Sequence, residues 1–171
     1  MKTGVSHLTT VAVVLALVAS PPALNAKSVD DGVARKELAE MASTFQSLIT
    51  SKDGDGLKTM FLPEGSNWWS VLDDATLAGV RKRRPDASRV VPGDFRKFAD
   101  FIKTTTHSPR EDFKNIRIQT DGLVGTVYFD YAFFLDGKQT NHGVETWQVV
   151  KTDQGWKISA LIYSEIHDKA D

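Results

Sequence analysis

The residue of this sequence best placed to do chemistry is a carboxylate set among apolar strand positions. In the stretch Leu123 to Leu135, Val127, Phe129, Tyr131 and Phe133 alternate with Thr126, Tyr128, Asp130 and Ala132. In Thr140 to Lys151, Glu145, Trp147 and Val149 alternate with Thr146 and Gln148. Residues two apart on a strand share one face, so Glu145 is expected on an apolar inner surface. Such surroundings disfavour the ionised form and raise the carboxyl pKa. A carboxyl held near neutrality can take or give a proton in a dry pocket. Tyr131, one strand away on the same face, is the matching hydrogen-bond donor. Phe129, Phe133 and Trp147 would line a pocket for a small apolar or aromatic ligand. The alternative places Glu145 at the open end of its strand, hydrated or bonded to a neighbouring strand.

Other residues could hold a ligand without reacting with it. Trp68 and Trp69 can stack a ring or fill the core. His142, near the start of the Glu145 strand, could rim the pocket. Arg83, within Arg81-Lys82-Arg83-Arg84, could hold an anion at its mouth. That run can equally be a solvated face paired with Asp73, Asp74 and Asp86. His107, His142 and His167 lack ligand spacing, so no metal site is expected. The chain contains no Cys, which leaves no thiol nucleophile, thiolate zinc site or disulfide. It has no G-x-S-x-G elbow and no phosphate-cradling glycine motif, so neither a serine hydrolase nor a nucleotide cofactor is expected. With 21 Lys+Arg against 22 Asp+Glu, nothing in the charge balance points to nucleic acid.

The elements that would position these groups begin after residue 26. Met1 to Ala26 carries a lysine, the apolar run Val11 to Ala19, then Pro21-Pro22 and small residues. This is the order of a secretory signal peptide. Nine apolar residues make a helix of about 14 Å, roughly half a bilayer core, too short for a stable anchor. The expectation is a bacterial periplasmic or secreted protein, without membrane anchor after cleavage near Ala26, whose single domain is 27–171. From Val33 to Ile49, apolar residues recur at steps of three and four, which predicts an amphipathic helix. A short helix over 55–62, a partly helical excursion over 73–93 and a helix capped by Asp94 are expected next. After Pro109 the period becomes two. Turns at Asp121-Gly122, Asp136-Gly137 and Asp153-Gln154-Gly155 predict a four-strand antiparallel meander. The inner face of its last strand is read as Trp156, Ile158, Ala160 and Ile162. Helices followed by a run of strands make an α+β fold.

The segment His142-Gly143-Val144-Glu145-Thr146-Trp147-Gln148-Val149-Val150-Lys151, with Gly155-Trp156-Lys157-Ile158-Ser159 and Tyr163-Ser164, resembles the C-terminal hairpin of the nuclear transport factor 2-like superfamily. That group includes SnoaL-like polyketide cyclases and ketosteroid isomerases. The resemblance implies a cone-shaped α+β barrel, with N-terminal helices in the concave face of a curved antiparallel sheet, and often a homodimer through the outer sheet face. In the isomerase-like members a carboxylic acid and a tyrosine act inside the cone, roles that would fall here to Glu145 and Tyr131. Three functions are therefore expected as alternatives: a ligand-binding pocket protein, a general acid/base enzyme of isomerase, cyclase or dehydratase type, and an interaction module with a filled cavity.

Overall fold

The structure, a computed structural model, describes residues 31–168. The export signal read over residues 1–26 lies outside the described residues. The elements run α1 (Asp31–Thr50), α2 (Gly54–Thr59), β1 (Asn67–Leu72), α3 (Asp74–Arg81), β2 (Val90–Pro92), α4 (Phe95–Thr104), β3 (Pro109–Thr120), β4 (Val124–Leu135), β5 (Lys138–Thr152) and β6 (Gly155–His167).

Helix α1 buries Ala34, Leu38, Met41, Ala42, Phe45 and Ile49, the stripe that its three- and four-residue spacing dictates. Helix α4 starts where the Asp94 carboxylate accepts the Arg96 amide, satisfying one of the amides a helix start leaves unpaired. It buries Phe95, Ala99 and Ile102. The β4–β5 hairpin turns through Asp136 and Gly137, both at positive φ (52° and 79°), as a tight two-residue turn requires. No described helix is long and apolar enough to cross a membrane.

The sheet has six strands in the order β2-β1-β6-β5-β4-β3. β3 to β6 form the expected antiparallel meander. The all-antiparallel expectation is corrected at the other edge, where β1 pairs with β6 in parallel and carries the short antiparallel β2. A parallel pair needs a long crossover connection, which the chain between β1 and β6 supplies. The curved, unclosed sheet wraps α1, and Phe45 meets Trp147 of β5 at 5.0 Å between ring centroids. Gln46 of α1 caps the sheet edge, its side-chain oxygen accepting the Phe113 amide at 2.9 Å.

One face assignment is overturned. Gln148 pairs with Ala160, but Val149 pairs with Ile158, so Ser159 is an extra residue in β6. Such a bulge shifts the alternation by one. Trp156 and Ile158 point inward as expected, and beyond the bulge Leu161 is buried while Ile162 is 42% exposed.

Candidate functional site

Between α1, α4, β1 and the inner face of the sheet lies a cavity of about 170 Å³. Phe45, Trp68, Phe98 and Phe133 form its apolar wall. Glu111, Tyr131, Asn141, Glu145 and Tyr163 supply its polar groups.

Glu145 is buried, and its Oε1 accepts the Trp147 indole N–H at 2.5 Å. Trp147 is itself fixed by its packing against Phe45 and Phe129. Burial pushes the Glu145 carboxyl up to about 8, against the pull of the indole hydrogen bond. At neutral pH it therefore keeps its proton for most of the time.

Tyr131 donates its hydroxyl to the Ser164 carbonyl at 3.0 Å and accepts from Asn141 Nδ2 at 3.2 Å. Asn141 is in turn held through its side-chain oxygen by Thr140 at 2.9 Å. The Ser164 carbonyl is available because β5–β6 pairing is interrupted there, with the Val144 amide bonded to Ser164 Oγ instead. Glycine at 143 is required by this approach: a Cβ there would stand 2.2 Å from the Ser164 carbonyl oxygen. Burial, then the charge of Glu145, raises the Tyr131 hydroxyl above its ordinary value. Burial likewise pushes Tyr163 up to about 12. Both phenols stay neutral, and the Tyr131 proton is already committed to Ser164.

The second acid, Glu111, was not among the residues singled out from the sequence. It is 6% exposed and has no hydrogen-bond or ion-pair partner among the described residues. Burial first, and the charge of Glu145 second, hold it well above the usual carboxylate range. Its signal is the period of two: Glu111 shares a face with Phe113, two positions on.

The structure separates the remaining candidates. Trp68 and Phe133 line the cavity. Phe129 and Trp147 are fully buried in the core beside it. Trp69 alternates to the opposite face and is 37% exposed, so the two tryptophans do not form one stacking site. His142 borders an outer groove with Lys114, Asp130 and Phe134, 3.5 Å from Asp168. Arg83 stands with Gly79, Lys82 and His167 around a separate surface hollow. Neither rims the cavity. Asp74, one of the acids expected to pair with the run 81–84, meets Arg89 instead, at 2.6 Å.

No family model matches the sequence, and no curated protein matches it. Solved structures do. A protein of unknown function from Mycobacterium tuberculosis is 15% identical, over 82% of this chain and 75% of its own, with a TM-score of 0.59. A nuclear transport factor 2-like protein with a cystatin-like fold from Novosphingobium aromaticivorans is 14% identical, over 81% and 85%, with a TM-score of 0.57. This chain has the nuclear transport factor 2-like fold. A candidate scytalone dehydratase from the same organism is 15% identical over 79% of this chain and 85% of that one, with a TM-score of 0.60. The nuclear transport factor 2-like cone is thus built here from a sequence far from those of its neighbours. At such identities the likeness carries the architecture, and activity must be argued from the side chains in the cavity.

Proposed function

We propose that this chain is a pocket protein that encloses one small, ring-sized ligand in the cone, acting outside the cytoplasm after export by the segment 1–26. The observation that carries this is the unfilled cavity of about 170 Å³, walled by aromatic side chains and bordered by buried polar groups. An apolar cavity of about 150 Å³ holds a benzene-sized guest. The open space counts against an interaction module with a filled interior.

The ring of Trp68 borders the cavity, so occupancy should change tryptophan fluorescence. Titration with benzyl alcohol, benzylamine and benzoate is expected to give a saturable response to at least one probe. No response to any of the three would overturn the pocket reading.

A second reading, general acid/base catalysis, is favoured by the protonated Glu145 held in place by Trp147. Such a group would exchange a proton next to the carbonyl of a small cyclic ketone. Deuterium uptake by cyclohexenone in the presence of the protein is the measurement. Glu145→Gln is expected to lower the rate about 100-fold or more, the scale of a general acid/base contribution. An unchanged rate would remove Glu145 from this role.

A further inference from the structure

The two acids of the cavity have no cationic partner among the described residues. Glu111 has no polar partner among the described residues, and the partner of Glu145 is a neutral indole. None of the nine residues lining the cavity is Lys, Arg or His. The acids stand on opposite sides of β4, Glu111 in register with Phe133 and Glu145 with Phe129, four positions along the strand. Both face the one cavity, where the charge of Glu145 acts on Glu111. The remaining walls are rings in mutual contact. Phe98 meets Phe45, Trp68 and Phe133 at centroid distances of 6.5, 5.3 and 6.2 Å, and Trp68 meets Tyr163 at 6.2 Å.

Aromatic faces attract a cation electrostatically, and a desolvated carboxylate pairs strongly with an N–H donor that bears positive charge. We propose that the cavity takes a small organic ammonium ion, a primary amine carried on a single ring or a compact apolar body. This rests on the pocket reading above and names its ligand class. The ring occupies the aromatic end, and the ammonium bonds to Glu111 and Glu145. Glu111 then gains a hydrogen-bond partner that none of the described residues provides.

The proton balance gives a signature. Burial favours the protonated form of both acids in the empty pocket, and Glu145, pushed up to about 8, keeps its proton for most of the time at neutral pH. An arriving ammonium ionises one carboxyl, whose proton goes to the buffer. No bond of the ligand breaks. The other titratable groups facing the pair, Tyr131 and Tyr163, stay neutral, and Asp112 lies beside Glu111 on the edge strand. Affinity for the amine therefore rises with pH, by up to tenfold per unit for one proton released, as long as the amine itself stays protonated.

The test uses the full chain, with calorimetry at pH 6 and pH 8 in two buffers of different ionisation enthalpy. Benzylamine is expected to bind at least tenfold more tightly than benzyl alcohol at pH 8, with about one proton released. Its affinity should rise from pH 6 to pH 8, and benzoate should not saturate. Glu111→Gln and Glu145→Gln, checked for folding by circular dichroism, should each weaken benzylamine tenfold or more and leave benzyl alcohol within threefold. If benzyl alcohol or benzoate binds as well as benzylamine, or the two variants leave benzylamine unchanged, the ammonium reading falls and the pocket reading stands. If none of the three binds, both fall.

Discussion

Raising the pH from 5 to 9 is expected to lower the melting temperature of this chain, and replacing Glu111 and Glu145 together by Gln should remove most of that loss. The sign follows from where the protons sit. Burial raises both carboxyls above the ordinary glutamate value of 4.5. Below that value the folded and unfolded chains are both protonated at these sites, and the pair adds no pH dependence. Above it the unfolded chain releases protons that the folded chain retains. Stability then falls as the pH rises, by about tenfold in the folding constant per unit for each proton retained. For Glu145 the loss ends near 8, where its folded form also ionises. Glu111, also raised by burial, adds to the loss in the same direction.

Surface carboxylates act in the opposite direction. Lys151 and Trp156 hold Glu37 below its usual range, Lys103 does so for Asp55, and His107 for Asp136. Their support is present above the ordinary carboxylate range and is lost as the pH falls through their lowered values. All are solvent-exposed, so their share is small. The optimum should lie on the mildly acidic side of neutrality. Thermal melts of the parent and the double variant at pH 5, 7 and 9 decide the matter. Parallel curves for the two proteins would mean that the acids are not held protonated.

Phe45→Ala is expected to destabilise the fold by about 3–5 kcal/mol, the cost of removing a large buried ring. Domains of this kind have only about 5–15 kcal/mol in total, so the melting temperature should fall by on the order of 10 °C or more. Phe45 is 1% exposed and touches rings from every side of the cone. It meets Phe61 after α2 at 6.4 Å, Phe98 of α4 at 6.5 Å, Phe113 of β3 at 6.0 Å and Trp147 of β5 at 5.0 Å. No single neighbour can move into the gap without leaving another. Phe45 also lines the cavity, so the void merges with it. Urea melts measure the loss, and a benzene-sized additive should restore part of it by filling the space. A loss below about 1 kcal/mol would show that the wall collapses.

Much of this could be read from residue order. The α1 stripe, the Asp94 cap and the Asp136-Gly137 turn follow from local rules, and each stands where its spacing demands. Glu145 and Tyr131 reached the cavity because uninterrupted alternation carried them there. Ile162 did not, because one extra residue at Ser159 exchanges the two faces of β6, and nothing in the type of Ser159 announces a bulge. Tyr163 joined the cavity for the same reason. Glu111 lay within reach of the period of two, but the run Arg110-Glu111-Asp112 looks like solvated charge until Phe113 is used to fix the phase. The parallel pairing of β1 with β6 depends on a contact between distant segments that no local pattern encodes. Arg83 and His142 were placed by sequence proximity to motifs, whereas reaching the cavity depends on direction.

The plug of Gln46 on the β3 edge bears on how the protein behaves at high concentration. An unclosed sheet offers a row of amides and carbonyls along each rim, on which a strand from another molecule can grow. On β3 the Phe113 amide is already taken by Gln46. Asn115 bends the strand through a left-handed residue at φ 53°, and Arg110, Asp112 and Lys114 place charge along the rim. On the other rim, β2 is three residues long and ends at Pro92, which has no amide to donate. Each rim thus carries an obstacle to strand addition, which counters fibre-like self-association of the open sheet.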